Sequence, residues 1–270
     1  MASTNNIQVT IGSVEQPWPD ASNTGVPVGT VLTLQSGDLT LNTPNTVVDS
    51  LDIRGSVIVR APGCIVKRCK ISQWSVFAVF IDTPAETGTP FTIQDCTILA
   101  PTGTGGTSIT NSNFTALRLD VSGAENGFDI THDVTIQDCY VHDLYNAGES
   151  HSDCIQFSGN PNNVTLRHNH LISSGLDSTG TMAGGTSCII MPPQSSGPSS
   201  NVTIDNNRVA WGAFAIYGPQ GGTGTNVKIT NNKFDTQFQP LCGQFGPWTD
   251  ANDESDHSGN IFYPSGVPVT

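Results

Sequence analysis

An eight-residue phrase recurs along this chain and limits what the chain can become. It reads Val164-Thr165-Leu166-Arg167-His168-Asn169-His170-Leu171, then Val202-Thr203-Ile204-Asp205-Asn206-Asn207-Arg208-Val209, then Val227-Lys228-Ile229-Thr230-Asn231-Asn232-Lys233-Phe234. Earlier copies carry cysteine in the sixth slot: Phe91-Thr92-Ile93-Gln94-Asp95-Cys96-Thr97-Ile98 and Val134-Thr135-Ile136-Gln137-Asp138-Cys139-Tyr140-Val141. Weaker copies place Leu51, Cys69 and Leu119 there, and Asn260 closes the series. Successive slots lie 18, 27, 23, 20, 30, 38, 25 and 28 residues apart, a spacing that marks a solenoid. Apolar and polar residues alternate within each copy, so the repeating unit is a strand rather than a helix.

The repeats run from about residue 29 to 262 without a linker, so the 270 residues read as one solenoid. The predicted organisation is an N-terminal cap over 1–28, a parallel β-helix of roughly nine coils over 29–262, and a tail over 263–270. Both end segments are expected to cover the open ends of the coil. In each copy Ile136, Cys139 and Val141, or Ile204, Asn207 and Val209, should point inward, with Thr135, Gln137 and Tyr140 outward. A buried asparagine is costly unless it is bonded. A column of Asn169, Asn207 and Asn232 meets that need if each amide bonds the backbone of its bend and its neighbour one coil away. Cys69, Cys96 and Cys139 share the slot and are expected to be reduced, unreactive thiols acting as small hydrophobes.

Composition narrows function. Ten Lys and Arg stand against 23 Asp and Glu, a net charge of −13, which excludes a phosphate-binding surface and disfavours nucleic acid and anionic membranes. No apolar run is long enough to cross a membrane. The first residues carry neither a basic nor an apolar signal region, so the expectation is synthesis in a host cytoplasm with no signal peptide. Seven cysteines without a CxxC pair fit that reducing compartment. The sequons at Asn113, Asn163 and Asn201 read as turn residues of the repeat rather than glycan acceptors.

The Asn/Cys ladder and the Asn-Val-Thr-Ile phrase resemble the right-handed parallel β-helix of the pectate lyase-like group. Asn23-Thr24-Gly25-Val26-Pro27, His151-Ser152-Asp153-Cys154-Ile155-Gln156 and Gly259-Asn260-Ile261-Phe262 further resemble β-helix proteins of actinobacteria and their phages. The resemblance covers nearly the whole chain and implies the fold. That group contains lyases, hydrolases, epimerases and phage adhesion proteins, so it leaves function open.

Four detours leave the coil, at 99–113, 142–153, 172–187 and 235–256. One concentrates ionisable groups: His142, Asp143, Tyr145, Glu149, His151 and Asp153, with Asp129, His132 and Asp133 one coil earlier and His168 and His170 one coil later. Carboxylates beside imidazoles can serve as acid/base pairs, bind a metal, bond sugar hydroxyls, or simply cap turns. Asp153, His151 and Asp143 are the catalytic candidates. His142, Asp143, Tyr145, Glu149, His151, Asp153 and Trp74 are the glycan-binding candidates. Asp153-Cys154-Ile155-Gln156 resembles the Asp-Gly-Ile-Asp phrase of polygalacturonases in its first Asp and its Ile, but Cys154 replaces the Gly and Gln156 the second Asp. The adjacent Asp pair, the Gly-His-Gly and the Arg-Ile-Lys of that family are absent. The basic trio Lys67, Arg68 and Lys70 lacks the acidic companions of a lyase.

The reading that follows is a tail- or capsid-associated virion protein that binds host-surface polysaccharide, with no metal or cofactor. Its expected partners are other virion proteins or further copies of itself, a homotrimer included. The alternative is a lyase, hydrolase or epimerase centred on His151 and Asp153.

Overall fold

The structure is a computed structural model, and it describes residues 16–101, 105–148, 150–177, 179–191, 198–219, 224–249 and 255–270. A parallel sheet of ten strands runs from Thr33–Ser36 to Ile261–Tyr263. The remaining main strands form two parallel ladders, merged into one sixteen-stranded sheet by Asn126–Gln137 and Asp153–Arg167, which belong to both. Each coil takes one strand from the ten-stranded sheet and one from each ladder, and nine coils are complete. The chain is therefore a parallel β-helix, as its periodicity predicts. The inward residues Ile136, Val141, Ile204 and Val209 are fully buried in one continuous apolar core. In-register pairing keeps like over like: Ile93 over Ala116, Ile136, Leu166, Ile204 and Ile229.

The ladder slot explains why Cys and Asn interchange. In the later coils the backbone N–H of the slot residue donates to a side chain one coil onward: Cys139 to Asn169 Oδ1 at 2.9 Å, Asn169 to Asn207 at 3.0 Å, Asn207 to Asn232 at 2.9 Å and Asn232 to Asn260 at 2.9 Å. In the earlier coils a sulfur accepts instead: Leu51 N–H to Cys69 Sγ at 3.4 Å, Cys69 N–H to Cys96 at 3.3 Å and Leu119 N–H to Cys139 at 3.4 Å. The cysteines are thus acceptors in the ladder as well as small hydrophobes. Asparagine adds a donor, and Asn207 Nδ2 reaches the Leu166 carbonyl at 3.0 Å, a coil back.

The residue before each slot turns the corner with positive φ: Ser50, Arg68, Asp95, Arg118, Asp138, His168, Asn206, Asn231 and Gly259. Left-handed backbone costs a non-glycine residue of the order of 1 kcal/mol. Ladder bonds offset that cost, as do side-chain bonds between neighbouring corners: Arg118 grips Asp95 with two bonds, and His168 Nδ1 meets Asp138 at 2.6 Å. Arg68 and Lys67 both reach Asp49 on the outer face. A second corner repeats the device with Asn113, Asp133, Asn163, Asn201 and Asn226, all at positive φ. There Asn163 donates to Asp133 and Asn226 to Asn201. The three sequon asparagines are therefore turn residues.

The two ends behave differently. The tail folds back over the last coil, with Phe262 N–H bonded to the Val267 carbonyl and Val269 N–H to that of Asn260, and Val269 is buried. The described part of the N-terminal segment does not cover the first coil. It lies lengthwise along the flank as a strap: Trp18 stacks on His168 at 5.0 Å, His170 Nδ1–H bonds the Pro19 carbonyl, and Gly25 N–H bonds that of Arg118. Gly25 has φ +75°, and a Cβ there would stand 2.5 Å from Thr97 Oγ1, so the strap passes too close for any side chain. The strap descends toward the first strand, which leaves Val28, Val31, Leu34 and Val47 exposed at that end.

Two outcomes test this frame. Asn207→Leu should destabilise the fold by about 1–3 kcal/mol despite its added apolar volume, because buried backbone groups lose their partners; equilibrium denaturation measures it. All seven cysteines are free and buried. Burial pushes the Cys139 thiol up to about 12 and Cys96 well above the ordinary range. Cys69 departs from the expectation of uniform inertness, since hydrogen bonding from Cys96 lowers it. Thiol titration should find Cys69 the first to react natively, and seven thiols after denaturation without reductant.

Candidate functional site

The ionisable detour does not stand alone. Leu144–Tyr145 pairs with Ser174–Leu176 of the next long detour, which pairs in turn with Met182–Gly184. Gly175 is required there, because a Cβ would lie 1.5 Å from the Leu144 carbonyl oxygen. Asn146 Nδ2 donates to the Gly184 carbonyl, and Ser152 Oγ to that of Tyr145, closing the detour onto the coil. Together these segments form a small lobe beside the strands that carry Asp129, Asp153 and Gln156.

The lobe divides the predicted residues into separate environments. Asp153 begins its strand but is only 2% exposed, and its Oδ1 accepts from Ser187 Oγ at 2.5 Å. Burial raises its carboxyl to about 7, partly opposed by the Ser187 bonds. His142 is clamped, with Nδ1 on Asp143 at 2.7 Å and Nε2 on Asp120 at 2.9 Å. Burial alone would depress it, yet the two carboxylates outweigh that and lift it to about 9. Both nitrogens then carry protons, and the ring lies flat on Tyr140 at 4.1 Å. His170 also packs against Tyr140; desolvation and the nearby Arg208 cation lower it to about 4. Trp74 is 3% exposed and cannot offer a face to a sugar, which corrects its place among the glycan contacts. Burial likewise removes Asp153 from direct contact. Glu149 lies outside the described residues.

An open surface remains one coil to either side. His151 is exposed, and its backbone N–H donates to Glu125 Oε1 at 3.0 Å. Asn126 accepts from the Asp153 N–H and donates to Gln156 Oε1 at 3.1 Å. Asp129, raised by burial, accepts from Ser158 Oγ at 2.5 Å. Tyr145 is half-buried at the edge of the lobe. Sequence reasoning missed Glu125, Asn126 and Gln156; the in-register pairing Asn126↔Asp153 and Asp129↔Gln156 is the signal that would have found them.

The nominated carboxyl pairs do not assemble. Asp153 and Asp129 stand three residues apart on adjacent strands, about 10 Å along the strand direction. Their side chains diverge, since Asp153 is held by Ser187 on the coil beyond and Asp129 by Ser158. Asp143 is committed to His142. Inverting hydrolysis needs two carboxyls across one bond, and neither Asp129 nor Asp143 forms such a pair with Asp153. Among the described residues no three His, Cys, Asp or Glu side chains converge as a metal site would need. No helix among them is long and apolar enough to cross a membrane.

Two groups set a pH signature. A carboxyl whose folded value exceeds its unfolded value takes up a proton on folding, so Asp153 weakens stability as pH rises from about 4 to about 7. His142 contributes stability that is complete below about 6.5 and lost as pH rises through about 9. Asp153→Asn should therefore gain stability relative to wild type as pH rises from about 4 to about 7, by about 1–4 kcal/mol in all. His142→Gln should flatten the decline between pH 6.5 and 9.5. Urea denaturation at stepped pH reads both.

Comparison with known proteins agrees with this architecture. None of the curated proteins compared matches the chain. The family model described as right handed beta helix region matches residues 45–191, more than half of the sequence, from the coil of Val47–Asp49 to the strand Ser187–Ile190. The chain belongs to the right-handed β-helix family.

Proposed function

We propose that this protein is a tail- or capsid-associated β-helix of a phage virion that holds host-surface glycan without cleaving it. One observation carries the non-catalytic reading: Asp153 is buried, and the partners nominated for it, Asp129 and Asp143, are bonded elsewhere. What the open surface offers instead is hydrogen bonding. Glu125, Asp129 and Gln156 accept from hydroxyls, Asn126 can do both, and His151 donates or accepts according to tautomer. Right-handed β-helices suit carbohydrate binding and pectate lyase-like chemistry alike, so the site decides between them. Thirteen net negative charges favour a neutral polysaccharide over an acidic one. Weak single contacts would gain from the many copies a virion displays, through self-association (a homotrimer) or docking on other virion proteins.

A carbohydrate-active enzyme is the second reading, favoured by one fact: a carboxyl near 7 is what a general acid requires. Its 2% exposure argues against it. Incubation with actinobacterial envelope polysaccharide decides. Co-sedimentation should show binding, weakened by His151→Ala with folding retained, and no reducing ends or unsaturated uronates should form. Product formation abolished by Asp153→Ala would establish the enzyme instead.

A further inference from the structure

The strap creates a second concave surface on the corner column that carries Asp138 and His168. Where it crosses the corner column it leaves two adjoining hollows of about 350 and 330 Å³, which share Gln16, Asp138 and His168. The first is walled by Trp18 from the strap and by Gln137, Arg167 and Asn206 from three successive coils. The second adds Asn23 from the strap and Arg118 from the coil. These volumes fall at the lower end of the range for small-molecule sites.

The lining has a definite chemical character. One face of the Trp18 indole is spent on His168, and the ring still borders the hollow. Around it stand planar polar groups: the amides of Gln16, Asn23, Gln137 and Asn206 and two guanidinium groups. Planar groups with two donors or acceptors side by side match pairs of neighbouring hydroxyls. Arg118 is already paired with Asp95, and Asp138 is hydrogen-bonded to His168. Arg167 is the least committed, with a side chain 61% exposed and its ion-pair partner Asp205 at 3.9 Å.

We propose that the groove between the strap and the corner column is a binding site for a short neutral oligosaccharide, with Trp18 as its apolar wall and Arg167, Gln137 and Asn206 as hydroxyl partners. An indole beside amides and a guanidinium fits a ring that has both C–H faces and hydroxyl edges. A phosphate or uronate fits less well because of the chain's net charge of −13, although the groove itself holds one carboxylate, Asp138, against the guanidinium groups of Arg118 and Arg167. The strap supplies one wall and the coil the other, so the site exists only when Trp18 and Pro19 are seated.

Calorimetric titration of the whole chain with neutral tetrasaccharides of glucose, galactose and N-acetylglucosamine tests this, with tetragalacturonate as the acidic control. At least one neutral probe should bind saturably, and Arg167→Ala should weaken it tenfold or more with an unchanged melting curve. Trp18→Ala should do the same; should it loosen the strap, Arg167→Ala still decides. His151→Ala should leave this binding unchanged. No neutral probe bound, stronger binding of tetragalacturonate, or binding indifferent to Arg167→Ala would overturn the proposal. Binding lost only in His151→Ala would overturn it while supporting the open surface beside the 142–153 detour, so the two sites fail separately.

Discussion

Everything in this molecule rests on one repeated bond: the N–H of a corner residue donated to a side chain exactly one coil away. The core of a solenoid runs along its axis and each coil touches only its neighbours, so register has to be set coil by coil. The ladder supplies that register. A slip by one residue would move Asn207 out of reach of Asn169 and Asn232 and expose every inward isoleucine at once. Sulfur and amide oxygen serve the same purpose, which is why Cys139 and Asn169 can follow one another in the same column without a break. Leu119 offers no acceptor, and there the column is interrupted.

The ladder also sets where function can lie. With the interior sealed, chemistry and binding are left to outward residues, to the corners and to the detours. The corners carry the unusual backbone and alternate in charge from Arg68 through Asp95, Arg118 and Asp138 to His168. That alternation gives the flank a balanced surface on an otherwise acidic molecule, and the strap lies across it. The detours build a lobe beside the strand of Asp153, whose carboxyl is itself buried and held by Ser187 on the next coil.

Much of the fold was legible in the sequence because it is periodic. The slot residues, the inward isoleucines and the outward Thr135 and Tyr140 follow from spacing and alternation alone. The site was less legible because its determinants are not periodic. Nothing local to Asp153 announces Ser187, 34 residues on, as its partner. Trp74, next to a detour, reads either as packing for its own loop or as a face for a sugar, and it is packed inside. The strap depends on contacts such as Pro19 with His170, 151 residues apart, which leave no mark on any short window. His142 did carry a readable sign in its neighbour Asp143, but Asp120 is a gift of register.

Amide hydrogen exchange read residue by residue tests the ladder most directly. If these bonds set the register, the N–H groups of Cys139, Asn169, Asn207 and Asn232 exchange only by global unfolding, sharing one opening free energy with the core strands. Exchange of those four amides at the rate of the detour residues, ahead of Ile136 and Ile204, would contradict the account.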